Sequence, residues 1–219
     1  MEIDTRTIKN FLTDQELDTI EQHVLANGLV SLNYNDSNVD PPQKVLSGTY
    51  YCFEYYNQNN KIVRDILQSK FEAQFGPKLH IQQIHIFDCL DPYQIHSDVD
   101  SGGDFVPGPE HAWTLIIPLF DVNSHTIVFN EGSETKQPQH YIESTVPNRT
   151  HSMDLATHTK YLSHTPYDWT KWLSIEDIFE WKRGDLFAAS RFKFHCSDNF
   201  LANGVTSKRA LIAWTTTLP

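Results

Sequence analysis

The hexapeptide Tyr93-Gln-Ile-His-Ser-Asp98 carries a histidine and an aspartate two positions apart, at His96 and Asp98. In an extended strand, residues two apart project to the same side, so the imidazole and the carboxylate face one point. His195, far downstream, can complete a set of two histidines and one carboxylate. This set suits Fe(II), because it leaves coordination positions open for a cosubstrate and oxygen. The sequence therefore predicts a metal site at His96, Asp98 and His195.

Short strands are predicted on both sides of this motif. Each predicted strand is rich in β-branched and aromatic residues and is bounded by turn residues, such as the Asp91-Pro92 turn just before the motif. The last strand differs from the others in beginning with two cations, Lys208 and Arg209. The predicted strands are 79–88, 113–120, 125–130, the segment 184–198 that contains His195, and 207–216.

The order of these features over residues 79–216 resembles that of the Fe(II)/2-oxoglutarate-dependent oxygenases. The features are the His-x-Asp motif, the strands, a Gly184-Asp185 pair before the strand with His195, and a cation-led last strand ending near Trp214. The likeness is closest to the prolyl-hydroxylase-like and phytanoyl-CoA-hydroxylase-like branches. It implies a mainly β fold with flanking helices, the double-stranded β-helix (a cupin-like jelly-roll of two antiparallel sheets), with the N-terminal helices against the larger sheet.

The resemblance also implies an activity. Proteins of this kind bind Fe(II) and use 2-oxoglutarate and O2 to hydroxylate an unactivated C–H bond, releasing succinate and CO2. The cofactor and cosubstrate carry the difficult chemistry, while the protein supplies ligation, orientation and exclusion of water. The substrate expected here is a peptidyl residue or a small molecule, and the sequence leaves the choice open.

The resemblance further predicts that Lys208 binds the far carboxylate of 2-oxoglutarate. In the resembled families an Arg or Lys near the start of the last core strand has this role, often with an aromatic residue six positions on, as Trp214 is here. Residues 208, 210, 212 and 214 share one face of a strand. Arg209 is the alternative and would require the opposite face. The interval from His195 to Lys208 is longer than is usual in these families, which implies an extended loop.

Several neighbouring residues are candidates for supporting roles. Tyr93, Thr114 and Gln83 are candidates for binding the cosubstrate or shaping its pocket, although each also fits as an ordinary strand residue. His85 lies among apolar neighbours and His111 lies in a loop, so both are interpreted as structural or substrate-facing rather than as metal ligands. The remaining candidates are Asp100 as a competing metal ligand and Trp169, Trp172 and Trp181 as walls of a substrate channel.

The whole chain, 1–219, is predicted to be one domain, because its length suits a single core. Residues 1–78 are predicted to be a helical support with two helices. The first follows the capping box Thr13-Asp-Gln-Glu16, and the second covers residues 60–75. Between the helices, residues 29–50 are interpreted as polar and turn-rich, with Asp40-Pro-Pro42 breaking any regular element.

Residues 131–180 are predicted to be an insertion in the jelly-roll core, with a short helix beginning at Ser174. A compact domain seldom keeps so long an irregular segment unless it is functional or mobile. The segment is therefore hypothesised to be a lid that covers the substrate. The alternative is an inert excursion over the surface.

Composition limits the partners and the setting. A formal net charge of −11 argues against nucleic acid and anionic membranes, since both bind clustered cations. No apolar run approaches the roughly 20 residues of a membrane helix, and the N-terminus lacks the pattern of a signal peptide. Three cysteines without CxxC spacing predict neither a disulfide framework nor a zinc knuckle. These features predict a reducing, cytoplasmic setting.

Two other classes of function remain open. One is a cupin-like metalloenzyme that does not use 2-oxoglutarate, although the usual metal cluster of such enzymes has more histidines on the early strands. The other is a noncatalytic binding module on the jelly-roll scaffold, which a complete set of metal ligands does not favour.

Overall fold

The strands of the computed structural model form two antiparallel sheets. The structure describes residues 5–27, 30–36, 43–53, 61–77, 79–98, 113–132 and 152–217, which form ten strands and four helices. The elements in chain order are β1 Arg6–Ile8, α1 Asp14–Asn27, β2 Val30–Asp36, β3 Gln43–Phe53, α2 Lys61–Phe75, β4 Leu79–Cys89, β5 Trp113–Pro118, β6 His125–Gly132, α3 Leu155–Tyr161, α4 Tyr167–Thr170, β7 Ile175–Glu180, β8 Leu186–Ser190, β9 Lys193–Ser197 and β10 Lys208–Thr217.

The larger sheet has seven strands in the order β1-β8-β5-β10-β4-β3-β2, and the smaller sheet has the order β7-β6-β9. A further segment, residues 95–98, joins the edge of the smaller sheet through an antiparallel bridge between His96 and His195. An apolar cluster fills the space between the sheets. The predicted double-stranded β-helix is confirmed. The buried members of that cluster are Ile116, Val128, Phe179, Trp181, Phe187, Ala189 and Ala210.

The helices α1 and α2 cover the outer face of the larger sheet, as predicted. Their buried residues, among them Leu17 and Phe71, belong to one cluster with β4, β5, β8 and β10. The predicted capping box is also present, because the Thr13 N–H donates to the Glu16 carboxylate (2.8 Å) and the Glu16 N–H donates to Thr13 Oγ1 (3.3 Å). The two helices therefore bury the outer face of the larger sheet.

A glycine allows α1 to dock against β8. Gly184 has a φ of +76°, and a Cβ at this position would lie 2.5 Å from the Leu12 carbonyl oxygen. The Leu12 N–H donates to the Gly184 carbonyl at 3.0 Å. The next residue, Asp185, is buried and accepts hydrogen bonds from Lys9 Nζ (2.8 Å) and the Asn10 N–H (2.9 Å). The Gly184-Asp185 pair thus ties the N-terminal segment to the sheet.

The outer face of the smaller sheet is covered by the segment 152–173, which includes α3 and α4. Met153, Leu162 and Leu173 from this segment are buried in one apolar cluster with β6 and β9 residues such as Phe129 and Phe194. This part of the predicted 131–180 insertion packs on the smaller sheet, and its action as a lid stays a prediction. Residues 133–151, to which the lid hypothesis also applied, lie outside the described residues.

Three predictions of local structure are wrong. Within the segment 29–50, which was predicted to be irregular, residues 30–36 and 43–50 are strand, because β2 and β3 pair and extend the larger sheet to its edge. The helix predicted from Ser174 is strand β7, because pairing with β6 outweighs a local pattern that also suits a helix. The single strand predicted over 184–198 is two strands, β8 and β9, which belong to different sheets.

These corrections change the predicted boundaries but not the architecture. The support region 1–78 contributes strands β1, β2 and β3 as well as helices, and the insertion is shorter than 131–180, because β6 and β7 occupy its two ends. One domain over 1–219 stays a prediction. None of the described helices is long and apolar enough to cross a membrane.

Candidate metal and cosubstrate site

The two histidines of the predicted metal site are placed by backbone pairing. The His96 N–H donates to the His195 carbonyl at 3.0 Å, and the His195 N–H donates to the His96 carbonyl at 2.9 Å. The two rings therefore lie side by side, with centroids 4.3 Å apart. Asp98 follows on the same side of the edge segment, and one ligand atom from each of His96, Asp98 and His195 lies within 4.8 Å of the others.

Backbone carbonyls orient both imidazoles. His96 Nδ1 lies 2.8 Å from the Gln94 carbonyl oxygen, and His195 Nδ1 lies 3.2 Å from the Lys193 carbonyl oxygen. A carbonyl only accepts, so each Nδ1 carries a proton, and Nε2 is the nitrogen of each ring that is turned toward the predicted metal position. Both Nε2 atoms face Asp98, at 3.5 Å from Oδ1 for His96 and 3.3 Å from Oδ2 for His195.

Asp98 is held by two residues, Thr114 at its carboxylate and Arg191 at its backbone. Thr114 Oγ1 on β5 donates to Asp98 Oδ2 at 2.6 Å. Arg191, fully buried in the turn between β8 and β9, donates from Nε to the Asp98 carbonyl at 3.0 Å and from Nη1 to the Thr215 carbonyl at 3.1 Å. The Asp98 N–H returns a bond to the Arg191 carbonyl at 2.9 Å. The structure thus places Thr114 against a predicted metal ligand.

Burial and charge set the protonation of the three residues. Burial raises the pKa of Asp98, but His195, His96 and Thr114 lower it more, so that the pKa lies well below its ordinary value. Burial lowers the pKa of His96 to about 4. For His195, burial lowers the pKa, yet the attraction of Asp98 outweighs burial and the pKa is raised. The carboxylate is therefore ionised and available as a ligand.

Tyr93 lies against a predicted metal ligand, whereas His85 packs against the last strand. The Tyr93 ring packs against His96 with centroids 4.1 Å apart, and its carbonyl accepts from the Ser197 N–H at 3.0 Å. His85, on β4, packs edge-on against Trp214 at 4.9 Å, and burial lowers its pKa to about 4. Gln83, also on β4, pairs in register with Trp214. The competing candidates Asp100 and His111 lie outside the described residues.

Lys208 opens β10 with its side chain between the sheets. It is 4% exposed, and its Nζ lies 3.3 Å from both Ser124 Oγ and the His125 carbonyl oxygen. The ammonium also sits 4.0 Å from the centre of the Trp181 ring. Burial lowers the pKa of Lys208 to about 8, against the opposing attraction of Asp198. Lys208 is therefore a buried cation on the face that the alternation predicted.

Arg209 lies on the other face of β10. Its Nη2 forms an ion pair with Asp88 Oδ2 of β4 at 2.9 Å. Its neighbours along the strand agree with this alternation, since Ala210 belongs to the cluster between the sheets and Leu211 to the cluster under the helices. Of the two candidate cations, the structure brings Lys208 to the space between the sheets.

Two residues at the site were missed by the sequence reasoning. Arg191 belongs to no motif, and no local signal marks its role. Ser197 lies two residues after His195 on β9, and the intervening Cys196 belongs to the outer cluster, so His195 and Ser197 share the inner face. The Ser197 hydroxyl is buried, and no hydrogen bond reaches it from the described residues. The two-residue spacing from His195 could have identified it.

The candidate channel tryptophans have different surroundings. Trp181 is buried between the sheets, and its Nε1 donates to Thr126 Oγ1 at 2.9 Å. Trp172 packs against the outer cluster of the smaller sheet, and Trp169 lies in α4. Trp181 is therefore the one of the three that contacts Lys208.

Comparison with known proteins shows the fold. No protein-family profile and no curated protein sequence matches the chain. Among solved structures, similar ones include SnoN, the non-heme alpha-ketoglutarate-dependent epimerase of nogalamycin biosynthesis (TM-score 0.56, 13% identity, covering 97% of this chain and 78% of that chain). Another is the viral collagen prolyl hydroxylase of Paramecium bursaria Chlorella virus-1 (0.53, 12%, 98% and 96%). A third is HygX of Streptomyces hygroscopicus, solved with nickel and 2-oxoglutarate (0.54, 10%, 96% and 81%).

These alignments cover nearly the whole chain at identities far below those that show a shared activity. The resemblance predicted from the motifs is confirmed at the level of the fold, which is that of the 2-oxoglutarate- and iron-dependent oxygenases. Function has to be argued from the site itself.

Proposed function

We propose that the protein is an Fe(II)- and 2-oxoglutarate-dependent dioxygenase that hydroxylates an unactivated C–H bond of a peptidyl residue or a small molecule. The observation that supports this most directly is the meeting of His96, Asp98 and His195, with ligand atoms within 4.8 Å of one another, in a barrel that also buries Lys208. When bound, Fe(II) and 2-oxoglutarate supply the oxidation, and the cosubstrate leaves as succinate and CO2.

The donor set fits Fe(II). Two imidazoles and one carboxylate on one side of a metal leave positions open for a cosubstrate and oxygen. The backbone carbonyls behind the two Nδ1 atoms, and Thr114 behind Asp98, hold the ligand atoms in their orientation. In this proposal Thr114 acts through Asp98 rather than by direct contact with the cosubstrate.

The polar residues beyond His195 fit a dicarboxylate. Ser197 lies next to His195 on the inner face of β9 and offers a buried hydroxyl, and Lys208 offers a buried ammonium. Among the described residues, no carboxylate lies within ion-pair distance of Lys208. An anion that reaches this ammonium forms a charge-assisted hydrogen bond in a site of low polarity, which is stronger than a bond between neutral groups. We assign the far carboxylate of 2-oxoglutarate to Lys208 and Ser197, with Tyr93 flanking the metal.

The apolar lining between the sheets excludes water from the cosubstrate. Ile116, Val128 and Phe187 are each at most 5% exposed and belong to the cluster that separates the sheets. A dry site strengthens the pairing of Lys208 with an anion and protects reactive species from water.

The likeness to an epimerase and to a prolyl hydroxylase indicates that this fold serves different substrates. The substrate proposed here thus stays at the level of a peptidyl residue or a small molecule, with O2 as the oxidant. The net charge of −11 favours a neutral or basic substrate over nucleic acid.

An anaerobic titration tests the proposal. Fe(II)-loaded protein is titrated with 2-oxoglutarate, and the weak visible charge-transfer absorption of the iron chelate is recorded. The proposal predicts that this band appears and saturates at one equivalent of 2-oxoglutarate per iron-loaded protein. Metal binding without any response to 2-oxoglutarate would favour the cupin-like metalloenzyme, and failure to bind metal would favour the noncatalytic module.

A further inference from the structure

A buried polar cluster lies behind Lys208 and is formed by Asp198, Ser124 and His125; we call it the Asp198 cluster. Asp198 is 1% exposed. Its Oδ1 accepts from Ser124 Oγ at 2.6 Å, and its Oδ2 lies 2.9 Å from His125 Nδ1. The Asp198 N–H donates to the His125 carbonyl at 3.0 Å. The cluster therefore connects the residue after β9 to the start of β6 by three hydrogen bonds.

The hydroxyl of Ser124 has a defined direction in this cluster. A serine hydroxyl carries one proton, and here the proton is donated to Asp198. Toward Lys208 Nζ, 3.3 Å away, Ser124 Oγ can only accept. The His125 carbonyl, which receives the Asp198 N–H, is the second acceptor for Lys208, also at 3.3 Å. Asp198 thus fixes both oxygen atoms that hold the ammonium.

In this arrangement the Lys208 ammonium keeps one N–H donor available for a ligand, although the side chain is buried. An ammonium has three N–H donors, and the described residues supply two acceptors, while the Trp181 ring lies at 4.0 Å. A carboxylate in direct contact would neutralise Lys208 and compete with an anionic ligand. Asp198 acts through neutral groups, so it stabilises the cation without occupying its remaining donor.

Other titratable groups near Lys208 supply little charge. On β4, burial raises the pKa of the Cys89 thiol to about 11, so the thiol is neutral. On β9, burial likewise raises the pKa of Cys196. In the turn between α3 and α4, burial lowers the pKa of His164 to about 4, so this imidazole is also neutral. The titratable groups around Lys208 are therefore Asp198, His125, His164, Cys89 and, from the outer face of β9, Cys196. Among the four of them whose pKa is shifted, Asp198 is the anion.

We propose that Asp198 is a positioning residue that holds the Lys208 ammonium, through Ser124 and the His125 carbonyl, where it can receive the far carboxylate of the cosubstrate. This inference rests on the proposed function for the identity of the ligand. It goes beyond that function in assigning the orientation and charge of Lys208 to a residue that does not touch the cosubstrate.

A direct test follows the ionisation of Lys208. The full chain, loaded with diamagnetic Zn(II) and labelled with ¹³C at the lysine ε-carbon, is titrated by NMR, and Lys208→Arg identifies the signal. In wild type, burial opposed by Asp198 sets the pKa of Lys208 at about 8. Asp198→Asn keeps the shape and removes the charge, so we expect Lys208 to titrate at lower pH than in wild type.

Binding of 2-oxoglutarate to Fe(II)-loaded protein is then measured by anaerobic calorimetry between pH 6 and 9. A lysine is charged below its pKa, so wild-type binding is strongest at low pH and weakens as the pH rises through about 8. In Asp198→Asn the weakening begins at lower pH, with roughly tenfold weaker binding near pH 7.5. Ser124→Ala keeps the charge of Asp198 and removes one acceptor, and we expect about fivefold weaker binding.

Asp185→Asn is the matched control, because Asp185 is a second buried carboxylate that pairs with Lys9 and has no hydrogen bond to Lys208 or to the Asp198 cluster. It should leave the Lys208 titration and the pH dependence of binding unchanged. If Asp198 serves only to tie the chain after β9 to β6, Asp198→Asn lowers the melting temperature but leaves both measurements as in wild type, which overturns the inference. Absence of 2-oxoglutarate binding by wild type overturns the proposed function itself.

Discussion

The space between the sheets has two polar ends that are built in different ways. We call them the metal end, with the candidate ligands His96, Asp98 and His195, and the Lys208 end. At the metal end, His96 and His195 are placed by a pair of backbone hydrogen bonds, and Asp98 follows two residues later on the same strand segment. At the Lys208 end, the ammonium is held by side chains and a carbonyl from separate elements. Backbone pairing tolerates changes in neighbouring side chains, whereas a side-chain cluster does not.

The largest effect is expected when the carboxylate of the predicted metal site is removed. Asp98→Ala should lower Fe(II) affinity by more than about a hundredfold, because two neutral imidazoles remain without a charged ligand. Circular dichroism should still show the fold, since the two histidines are placed by backbone pairing. Metal analysis after gel filtration measures the loss. Asp168→Ala, at an exposed position of α4, is the control, and equal metal content in the two variants would exclude Asp98 as a ligand.

At the other end, Lys208→Met should raise the 2-oxoglutarate concentration for half-saturation by roughly fiftyfold and leave Fe(II) binding intact. Methionine fills a similar volume, so the loss reflects the charge-assisted hydrogen bond. Arg209→Met is the matched control, because Arg209 pairs with Asp88 on the opposite face of β10. A stronger effect of Arg209→Met than of Lys208→Met would reverse the assignment of the cosubstrate cation.

Two hydroxyl deletions, one at each end, should weaken the binding of different ligands. Thr114→Val removes the hydrogen bond to Asp98 and should weaken Fe(II) binding about tenfold. Ser197→Ala removes a buried hydroxyl beyond His195 and should weaken 2-oxoglutarate binding about fivefold with Fe(II) affinity unchanged. Calorimetry with each ligand separates the two effects. If both variants bind the same ligand more weakly, the assignment of Thr114 to Fe(II) binding and of Ser197 to 2-oxoglutarate binding is wrong.

The smallest effect is expected at the surface of β10. Asp88→Asn breaks a partly exposed ion pair with Arg209, and surface ion pairs contribute about 0–1 kcal/mol. We expect a melting temperature within a few degrees of wild type and unchanged binding of both ligands. Thermal unfolding monitored by circular dichroism checks the first expectation. A loss of 2-oxoglutarate binding would mean that the Arg209 face takes part in the site.

The face of a strand on which a side chain lies could be predicted, because side chains alternate between the two faces along the strand. The two-residue spacing of His96 and Asp98, and the alternation that separates Lys208 from Arg209, depend on the geometry of a single strand. The capping box at Thr13 was also readable, because it involves residues three apart. In each case the structure places the side chains as the local period requires.

Other features were not readable because they depend on contacts between distant residues. The segment after Ser174 suits a helix by local pattern, and only pairing with β6 makes it β7. Residues 30–36 and 43–53 become strands because the larger sheet offers β4 as a partner for β3. Arg191 reaches the Asp98 carbonyl only because β8 and β9 turn from one sheet to the other at this residue.

Residue types and spacing predicted the type of fold, the three residues that meet as candidate metal ligands, and the face of the last strand that holds Lys208. These follow from residue chemistry and from the two-residue period of a strand. The contacts of Thr114 and Arg191 with Asp98, and of Asp198 with Ser124, become visible in the folded chain alone. Such contacts join residues 16 to 93 positions apart, and no local period relates residues so far apart in the chain.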